Sequence, residues 1–258
     1  MPRFDTTELY PEEHEAQCTP TTLKTTFMEF QKEARRLQVT YADKIQLLVG
    51  SEIEFIHAGY AEYVAALNNV DYVVGSLHHV GTIPIDFSIE LYQQALQRHG
   101  SLVDLYAAYF DEQLSMLQSV RPLVVGHFDL VRIFAGNEAD KVLHDGTVWQ
   151  RVIRNVDYVL QYGGLFEINS RAWKKGLVDA YPQRDIVQLI LDRGGKFTLS
   201  DDCHGPRDVG MHYDKLQDYL SRMGIDTIYY LAIEQDKVII KEHRNILQNP
   251  FWNKIQEW

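Results

Sequence analysis

Hydrophobic residues recur along the chain with two alternating spacings. Over residues 22–39 they come every three to four positions, which predicts an amphipathic helix. Residues 45–49 then form a short apolar run followed by Gly50, as is typical of a parallel strand buried on both faces. The same patterns continue: helices are predicted at 59–67, 89–98, 102–119, 150–161, 184–193 and 209–223, and strands at 72–74, 123–125, 165–166, 197–199 and 227–232.

This alternation of strands and helices predicts an α/β fold with a parallel sheet. Residues 135–147 break the periodicity and are interpreted as a surface loop, and residues 249–258 as a short terminal helix. No repeat, low-complexity tract or proline-rich linker divides the chain. Residues 1–258 are therefore predicted to form one domain, at a length where α/β barrels are common.

Composition narrows the possible functions. Hydrophobic residues make up 45% of the chain and charged residues 24%, which is typical of a globular protein. The formal net charge of −11 disfavours nucleic acid as a partner, because that binding depends on clustered lysine and arginine. The two cysteines, Cys18 and Cys203, indicate neither a disulfide framework nor a cysteine zinc site. Neither a signal sequence nor a membrane span is indicated, so a cytoplasmic location without a membrane partner is expected.

Five successive predicted strands are each followed by a carboxylate or an imidazole. In a β/α barrel the carboxyl ends of the strands meet on one face, where the loops build the active site. We therefore expect these side chains to lie close together. The five motifs are Gly50-Ser51-Glu52, Gly75-Ser76-Leu77-His78-His79, Gly126-His127-Phe128-Asp129, Glu167-Ile168-Asn169 and Ser200-Asp201-Asp202-Cys203-His204.

Histidine nitrogen and carboxylate oxygen suit zinc, iron or manganese, and ligands spread over several strands can hold more than one ion. Each residue alone has an ordinary alternative: His78 or His127 as a hydrogen-bonded structural histidine, and Glu52 as a turn residue or helix cap. Their recurrence after successive strands favours a multinuclear metal site that hydrolyses a phosphate ester. Cys203 is interpreted as a small packing residue rather than a nucleophile.

In this order, the five motifs resemble those of fungal-type histidinol phosphatases in the polymerase-and-histidinol-phosphatase (PHP) family. The resemblance also covers Pro84-Ile85-Asp86-Phe87 and Asn249-Pro250-Phe251-Trp252, and so nearly the whole chain. It implies a distorted seven-stranded TIM-like β/α barrel with up to three divalent metal ions. It also implies a small-molecule substrate, L-histidinol phosphate, which is hydrolysed to L-histidinol and phosphate in histidine biosynthesis.

The resemblance further implies a role for each site residue. Glu52 would bridge two metal ions, and His78 and His127 would complete the ion that it shares. Asp202 and His204 would bind a second and a third ion and are the predicted catalytic residues, with Asp202 or a metal-bound water assisting proton transfer. Three residues would complete the adjoining substrate pocket: His79, Glu167 and Asn169.

A phosphate monoester also needs positive side chains, because lysine and arginine donate charge-assisted hydrogen bonds to its oxygens. Arg3 and Arg207 are the preferred candidates since each directly flanks a motif, ahead of Arg171, Lys174 and Lys175. Substitution of Arg207 by alanine is expected to weaken substrate binding.

In the family, these motifs follow a His-x-His strand, a further histidine, and a second strand that ends in Glu-His-x-Pro-Arg. Met1-Pro2-Arg3 aligns with the end of that pattern, so the first strands of the barrel are expected to be missing. The Glu52 ion would then keep its protein ligands, whereas the Asp202 and His204 sites would lose histidines and fewer ions would bind. Two alternatives stay open: a catalytically impaired PHP protein, and another PHP phosphoesterase such as a nuclease.

Overall fold

A computed structural model of the chain describes residues 3, 5–57, 59–65, 67 and 69–255. Its strands are β1 (Gly50–Glu54), β2 (Tyr72–Ser76), β3 (His79–Val80), β4 (Ile83–Pro84), β5 (Val124–Val125), β6 (Leu165–Asn169), β7 (Phe197–Ser200), β8 (Thr227–Glu234) and β9 (Lys237–Arg244). Five of them form a parallel sheet in the order β1-β2-β5-β6-β7. Two antiparallel hairpins, β3-β4 and β8-β9, stand outside that sheet. The predicted α/β class is therefore confirmed.

Helices connect most of the strands, and the four longest in the described chain begin at side-chain caps. Thr19 and Thr22 form a reciprocal capping box, and Ser88 and Ser101 each accept a hydrogen bond from a first-turn N–H group. No helix in the described ranges is both long and apolar enough to cross a membrane. The helices are α1 (Pro11–Glu15), α2 (Pro20–Thr40), α3 (Gly59–Ala65), α4 (Ile89–His99), α5 (Leu102–Val120), α6 (Ala139–Leu143), α7 (Gly146–Tyr162), α8 (Arg171–Lys174), α9 (Arg184–Asp192), α10 (Tyr213–Arg222) and α11 (Phe251–Ile255).

The main core lies between the sheet and the helices that follow its strands. Phe166 of β6 packs against Phe128 after β5, and Phe128 packs against Phe110 of α5, with ring centroids 5.8 and 5.9 Å apart. Val152 and Val156 of α7 are fully buried in the same cluster. Apolar burial of this kind fixes the helices on the sheet and leaves the carboxyl ends of the strands free for chemistry.

The first strand begins later than its hydrophobicity predicted. The segment predicted as a strand at 45–49 has no regular secondary structure, and the ladder to β2 starts only where Gly50 pairs with Tyr72. The Gln46 amide instead makes two hydrogen bonds to the backbone of Ile233 in β8, at 3.0 and 2.8 Å. Glu52 therefore lies within β1 and does not follow it.

Two other predicted segments differ from the observed fold. Residues 135–147 contain helix α6 and the start of α7, because Val142 and Leu143 are buried in the core and stabilise a helical turn. The predicted strand at 227–232 corresponds to β8, which pairs antiparallel with β9 and is not in the parallel sheet. The predicted terminal helix is α11, and residues 256–258 fall outside the described residues.

The parallel sheet does not close on itself within the described chain. β1 and β7 are its edge strands, and each pairs with one sheet neighbour. The hairpin β8-β9 packs beside β7, while the Gln46 hydrogen bonds join the same hairpin to the segment that precedes β1. A single hairpin thus packs beside one edge strand and is hydrogen-bonded to the segment that precedes the other.

A buried ion pair supports the loop after β5. Arg132 Nε lies 2.8 Å from Asp129 Oδ2, and both side chains are almost completely buried. The same arginine donates hydrogen bonds to the carbonyls of Asp179 and Ala180, and its guanidinium lies 4.7 Å from the ring centroid of Tyr181. Burial raises the pKa of Asp129, and the charge of Arg132 opposes that shift. The pair therefore joins the 129–132 turn to the 179–181 segment.

We predict that Arg132→Met destabilises the protein by about 3–5 kcal/mol, because it leaves a buried carboxylate and two buried carbonyls without their partner. The measurement is urea unfolding followed by circular dichroism. Arg193→Met is the control, since it breaks the exposed Arg193–Asp157 pair and is expected to cost under about 1 kcal/mol. Equal losses for the two variants would contradict a structural role for the buried pair.

Candidate active site

Three side chains from three neighbouring strands converge at the carboxyl edge of the sheet. Glu52 lies in β1, His78 follows β2 and His127 follows β5. Glu52 Oε1 lies 3.5 Å from His78 Nε2 and 3.0 Å from His127 Nε2, and the ligand atoms of all three lie within 4.8 Å of one another. We call these three residues the ligand cluster.

Close strand packing holds the ligand cluster together. A Cβ atom at Gly126 would lie 2.4 Å from Ser76 Oγ, so only glycine allows β5 to approach β2 at this point. The two histidine rings meet edge to face with their centroids 4.8 Å apart. The sequence prediction that Glu52, His78 and His127 lie together agrees with this geometry.

Electrostatics favour a charged pair inside the cluster. Desolvation alone would raise the pKa of Glu52, but the hydrogen bond from His127 and the charges of both histidines outweigh it and hold that pKa well below its usual range. Burial alone would lower the pKa of His127, but the hydrogen bond and charge of Glu52 raise it to about 10. An anionic oxygen beside two imidazole nitrogens is a donor set that also suits a divalent cation such as Zn²⁺.

The ligand cluster opens into a cavity of about 520 Å³. Its wall contains charged residues from the loops after β6 and β7, together with an apolar and aromatic region. The residues from those loops are Arg171, Lys175, Asp202 and His204. Asp86 adds a carboxylate from the segment after β4, and the apolar and aromatic lining residues are Tyr10, Phe87, Leu130, Ile133 and Tyr181.

Asp202 and His204 occupy the loop after β7 and both line the cavity, outside the ligand cluster. Asp202 adopts a left-handed conformation with φ of 48°, which turns the chain sharply after β7. Its carbonyl accepts hydrogen bonds from Arg171 at 2.9 Å and from the His204 ring at 2.8 Å. Asp208 in turn binds both Arg171 and Lys174. The loop is thus held in place around two candidate ligands.

Glu167 and Asn169 lie beneath the cavity and position other groups. Glu167 Oε2 accepts hydrogen bonds from the backbone of His127 at 2.7 Å and from Asn169 Nδ2 at 3.1 Å. Asn169 Nδ2 also lies 3.3 Å from Asp202 Oδ2. Burial raises the pKa of Glu167, and the charge of His127 only partly offsets this. These two residues join the His127 backbone to the Asp202 side chain without themselves lining the cavity.

Three residues proposed from the sequence to bind substrate lie away from the cavity wall. His79 is buried, with its ring 4.8 Å from that of Tyr10. Arg3 is buried too, and its guanidinium pairs with Glu13 at 3.3 Å. Arg207 lines a separate surface depression beside α11. For these residues the cavity gives no support to a direct contact with substrate.

Several cavity residues were missed or ranked low in the sequence analysis. Arg171 and Lys175 line the cavity although Arg3 and Arg207 had been preferred. Asp86 belongs to a motif that carries the family resemblance, but nothing in its spacing marked it as a site residue. Tyr181 carries no sequence signal, because the network around Arg132 brings it to the cavity wall.

Comparison with known proteins identifies the family. A model of the PHP domain matches residues 5–171 of this chain. The chain belongs to the PHP domain family. A "Probable histidinol-phosphatase" from Schizosaccharomyces pombe is 42% identical over 98% of this chain and 83% of that protein. The "Histidinol-phosphatase" of Saccharomyces cerevisiae is 32% identical over 99% of this chain and 88% of its own length. Within the PHP family the chain therefore groups with the fungal histidinol phosphatases.

A solved structure shows that the fold is shared more widely. Histidinol phosphate phosphatase from Lactococcus lactis, complexed with zinc, L-histidinol and phosphate, superposes with a TM-score of 0.57. The match covers 83% of this chain and 79% of that chain at 18% sequence identity. The central α/β architecture of this PHP domain is thus common to a distant relative.

We predict that Glu52→Gln lowers the zinc affinity of this PHP domain at least about 100-fold. Loss of a residue that merely orients a metal ligand lowers metal affinity about 10- to 100-fold. Glu52 is itself a candidate ligand, and its Oε1 lies near the Nε2 atoms of both histidines. The measurement is zinc content by atomic absorption after dialysis against a zinc buffer. Glu62→Gln, an exposed change on α3, is the control. Unchanged zinc content in Glu52→Gln would place the metal elsewhere.

Proposed function

We propose that this chain is a histidinol phosphatase that hydrolyses L-histidinol phosphate to L-histidinol and phosphate. The carrying observation is the ligand cluster, which opens into a cavity with two cationic side chains. A phosphate monoester fits such a site, since a metal ion and a lysine or arginine side chain can both neutralise the negative charge on its oxygens. The identity to fungal histidinol phosphatases over nearly the whole chain supports this substrate over other phosphate esters.

Some side chains of the cavity would bind the phosphate, and others would transfer a proton. Arg171 is oriented by Asp208 at 3.1 Å, so its guanidinium is fixed at the cavity wall. Lys175 is exposed there and forms no ion pair with any described residue, which leaves its ammonium group available for a phosphate oxygen. Asp202, held by Asn169, is the proposed proton carrier, and His204 stands beside it with Nδ1 3.6 Å from Asp202 Oδ1.

Glu52, His78 and His127 would hold the first divalent cation, with zinc as the first choice and manganese or iron as alternatives. Zinc is named for the Lactococcus lactis protein. When bound, a divalent cation supplies positive charge to the phosphate oxygens and lowers the pKa of water. Asp202 and His204 are the proposed ligands of further ions, and the three ions of the complete family site are the upper limit for this chain.

We also propose that the five-stranded sheet is an arc of the distorted seven-stranded TIM-like barrel. Residues of β2, β5, β6 and β7 together line a second cavity, of about 330 Å³, as expected of a sheet that curves around its interior. Leu47 and Leu231 complete that lining from the segments at the two open edges. Additional strands between β1 and β7 would close the barrel.

Lys175→Ala is predicted to raise the KM for L-histidinol phosphate roughly tenfold, because one charge-assisted hydrogen bond to the phosphate is lost. The neighbouring Lys174→Ala is the matched control. Lys174 binds Asp208 and does not line the cavity, so its removal is expected to change KM by less than about twofold. Arg207→Ala, which alters the separate depression, should also leave KM unchanged. A raised KM in all three variants would indicate a diffuse charge effect and would contradict specific phosphate binding by Lys175.

The deciding experiment measures phosphate release from L-histidinol phosphate by the zinc-loaded chain. We expect turnover that is lost after chelation and restored by zinc, and that is abolished in His127→Ala. Turnover that survives complete metal removal would overturn the metal-dependent mechanism. Zinc binding without turnover of this ester would instead favour a PHP protein that retains only part of the metal centre, whereas cleavage of another monoester would overturn the substrate assignment.

A further inference from the structure

Asp86 is a cavity carboxylate that the proposed chemistry does not use. It follows β4 in the short hairpin β3-β4, between fully buried Ile85 and half-exposed Phe87. The backbone N–H of Ile85 donates a 2.9 Å hydrogen bond to the carbonyl of His78. The segment that carries Asp86 is therefore attached directly to the segment that carries a candidate metal ligand.

One oxygen of Asp86 lacks a partner within the described chain. Its Oδ1 atom is buried and accepts no hydrogen bond from a described residue, and no described lysine, arginine or histidine forms an ion pair with its carboxylate. Buried polar atoms in native proteins nearly always have a partner, since an unsatisfied carboxylate oxygen is costly. A missing donor at a cavity wall is therefore best supplied by a ligand.

The surroundings of Asp86 favour an organic cation over a further metal ion. Asp86 is absent from the only described group of three or more potential metal ligands. The neutral part of the cavity wall consists of Leu130 and Ile133 with the rings of Tyr10, Phe87 and Tyr181. Apolar and aromatic walls beside a carboxylate suit an organic ammonium group, which is attracted both to the carboxylate and to ring faces.

We infer that Asp86 binds the ammonium group of the substrate and so selects phosphate monoesters that carry a primary amine. This inference rests on the proposed phosphatase function and names the part of the substrate that the cavity recognises. L-Histidinol phosphate carries one such amine, which is protonated at neutral pH, whereas its imidazole is largely neutral above its ordinary pKa of about 6.5. The ammonium is therefore the constant positive charge available to Asp86.

The test compares L-histidinol phosphate with its deamino analogue, 3-(imidazol-4-yl)propyl phosphate, in the zinc-loaded protein. Wild type is expected to prefer the amine-bearing ester. In Asp86→Asn, kcat/KM for L-histidinol phosphate should fall about 10- to 100-fold, the range for one hydrogen-bonded charge, while the deamino ester changes less than about twofold. Asp43→Asn, an exposed change after α2, is the matched control and should alter neither substrate.

Each other result overturns the inference in a recognisable way. Equal losses on both esters would show that Asp86 acts through structure or chemistry and not through the amine. A lower zinc content in Asp86→Asn would make it a metal ligand. Equal turnover of both esters by wild type would reject selection for the ammonium group but would not contradict the proposed phosphatase function.

A binding measurement separates this inference from the proposed function if the purified chain shows no turnover. Calorimetric titration of the zinc-loaded protein with L-histidinol and with 3-(imidazol-4-yl)propanol, each in the presence of phosphate, reports recognition of the amine without chemistry. Tighter binding of L-histidinol that is lost in Asp86→Asn would support the inference even where the substrate assignment fails. Equal binding of the two alcohols would reject it.

Discussion

Hydrogen bonding between parallel strands fixes where the chemistry of this protein lies. The ladder pairs Glu52 with Val74 and Gly75 with Val125, so a residue within β1 and residues just beyond β2 and β5 reach the same edge. A shift of one residue in the pairing of β1 with β2 would turn the Glu52 side chain to the opposite face of the sheet and remove it from the ligand cluster. The register of two short ladders is thus the constraint on which the active site depends, and the helices and core serve to maintain it.

Side-chain hydrogen bonding extends this constraint from the strands to the loops. Glu167 binds the His127 backbone and the Asn169 amide, and Asn169 reaches Asp202. Arg171 then binds the Asp202 carbonyl. Glu167 and Asn169 each have a partner at another strand end, His127 and Asp202 respectively, so hydrogen bonds hold the Glu167 and Asp202 carboxylates close together. Local electrostatics and sheet geometry therefore support the same arrangement.

Sequence patterns predicted the parts of the site that follow from strand topology. The ligand cluster, Asp202 and His204 were found because polar residues at strand ends must share one edge. Arg207 was preferred over Arg171 on nearness along the chain, which says nothing about the direction of a side chain. Asp86 and Tyr181 reach the cavity through a hairpin and a buried ion-pair network, and neither leaves a periodic signal. The start of β1 was misplaced because hydrophobicity reports burial and not ladder pairing. β9 was missed because only residues 238–240 of it are apolar and the rest is charged or polar.

The position of Tyr181 has a consequence for the entropy of binding. Its ring is covered on one side by the Arg132 guanidinium, and its backbone is bonded in both directions to Asn169. This part of the cavity wall is already ordered before any ligand arrives, so it loses little conformational freedom when a substrate is bound. Binding energy that would otherwise order the wall remains available to orient the ester toward the metal ligands.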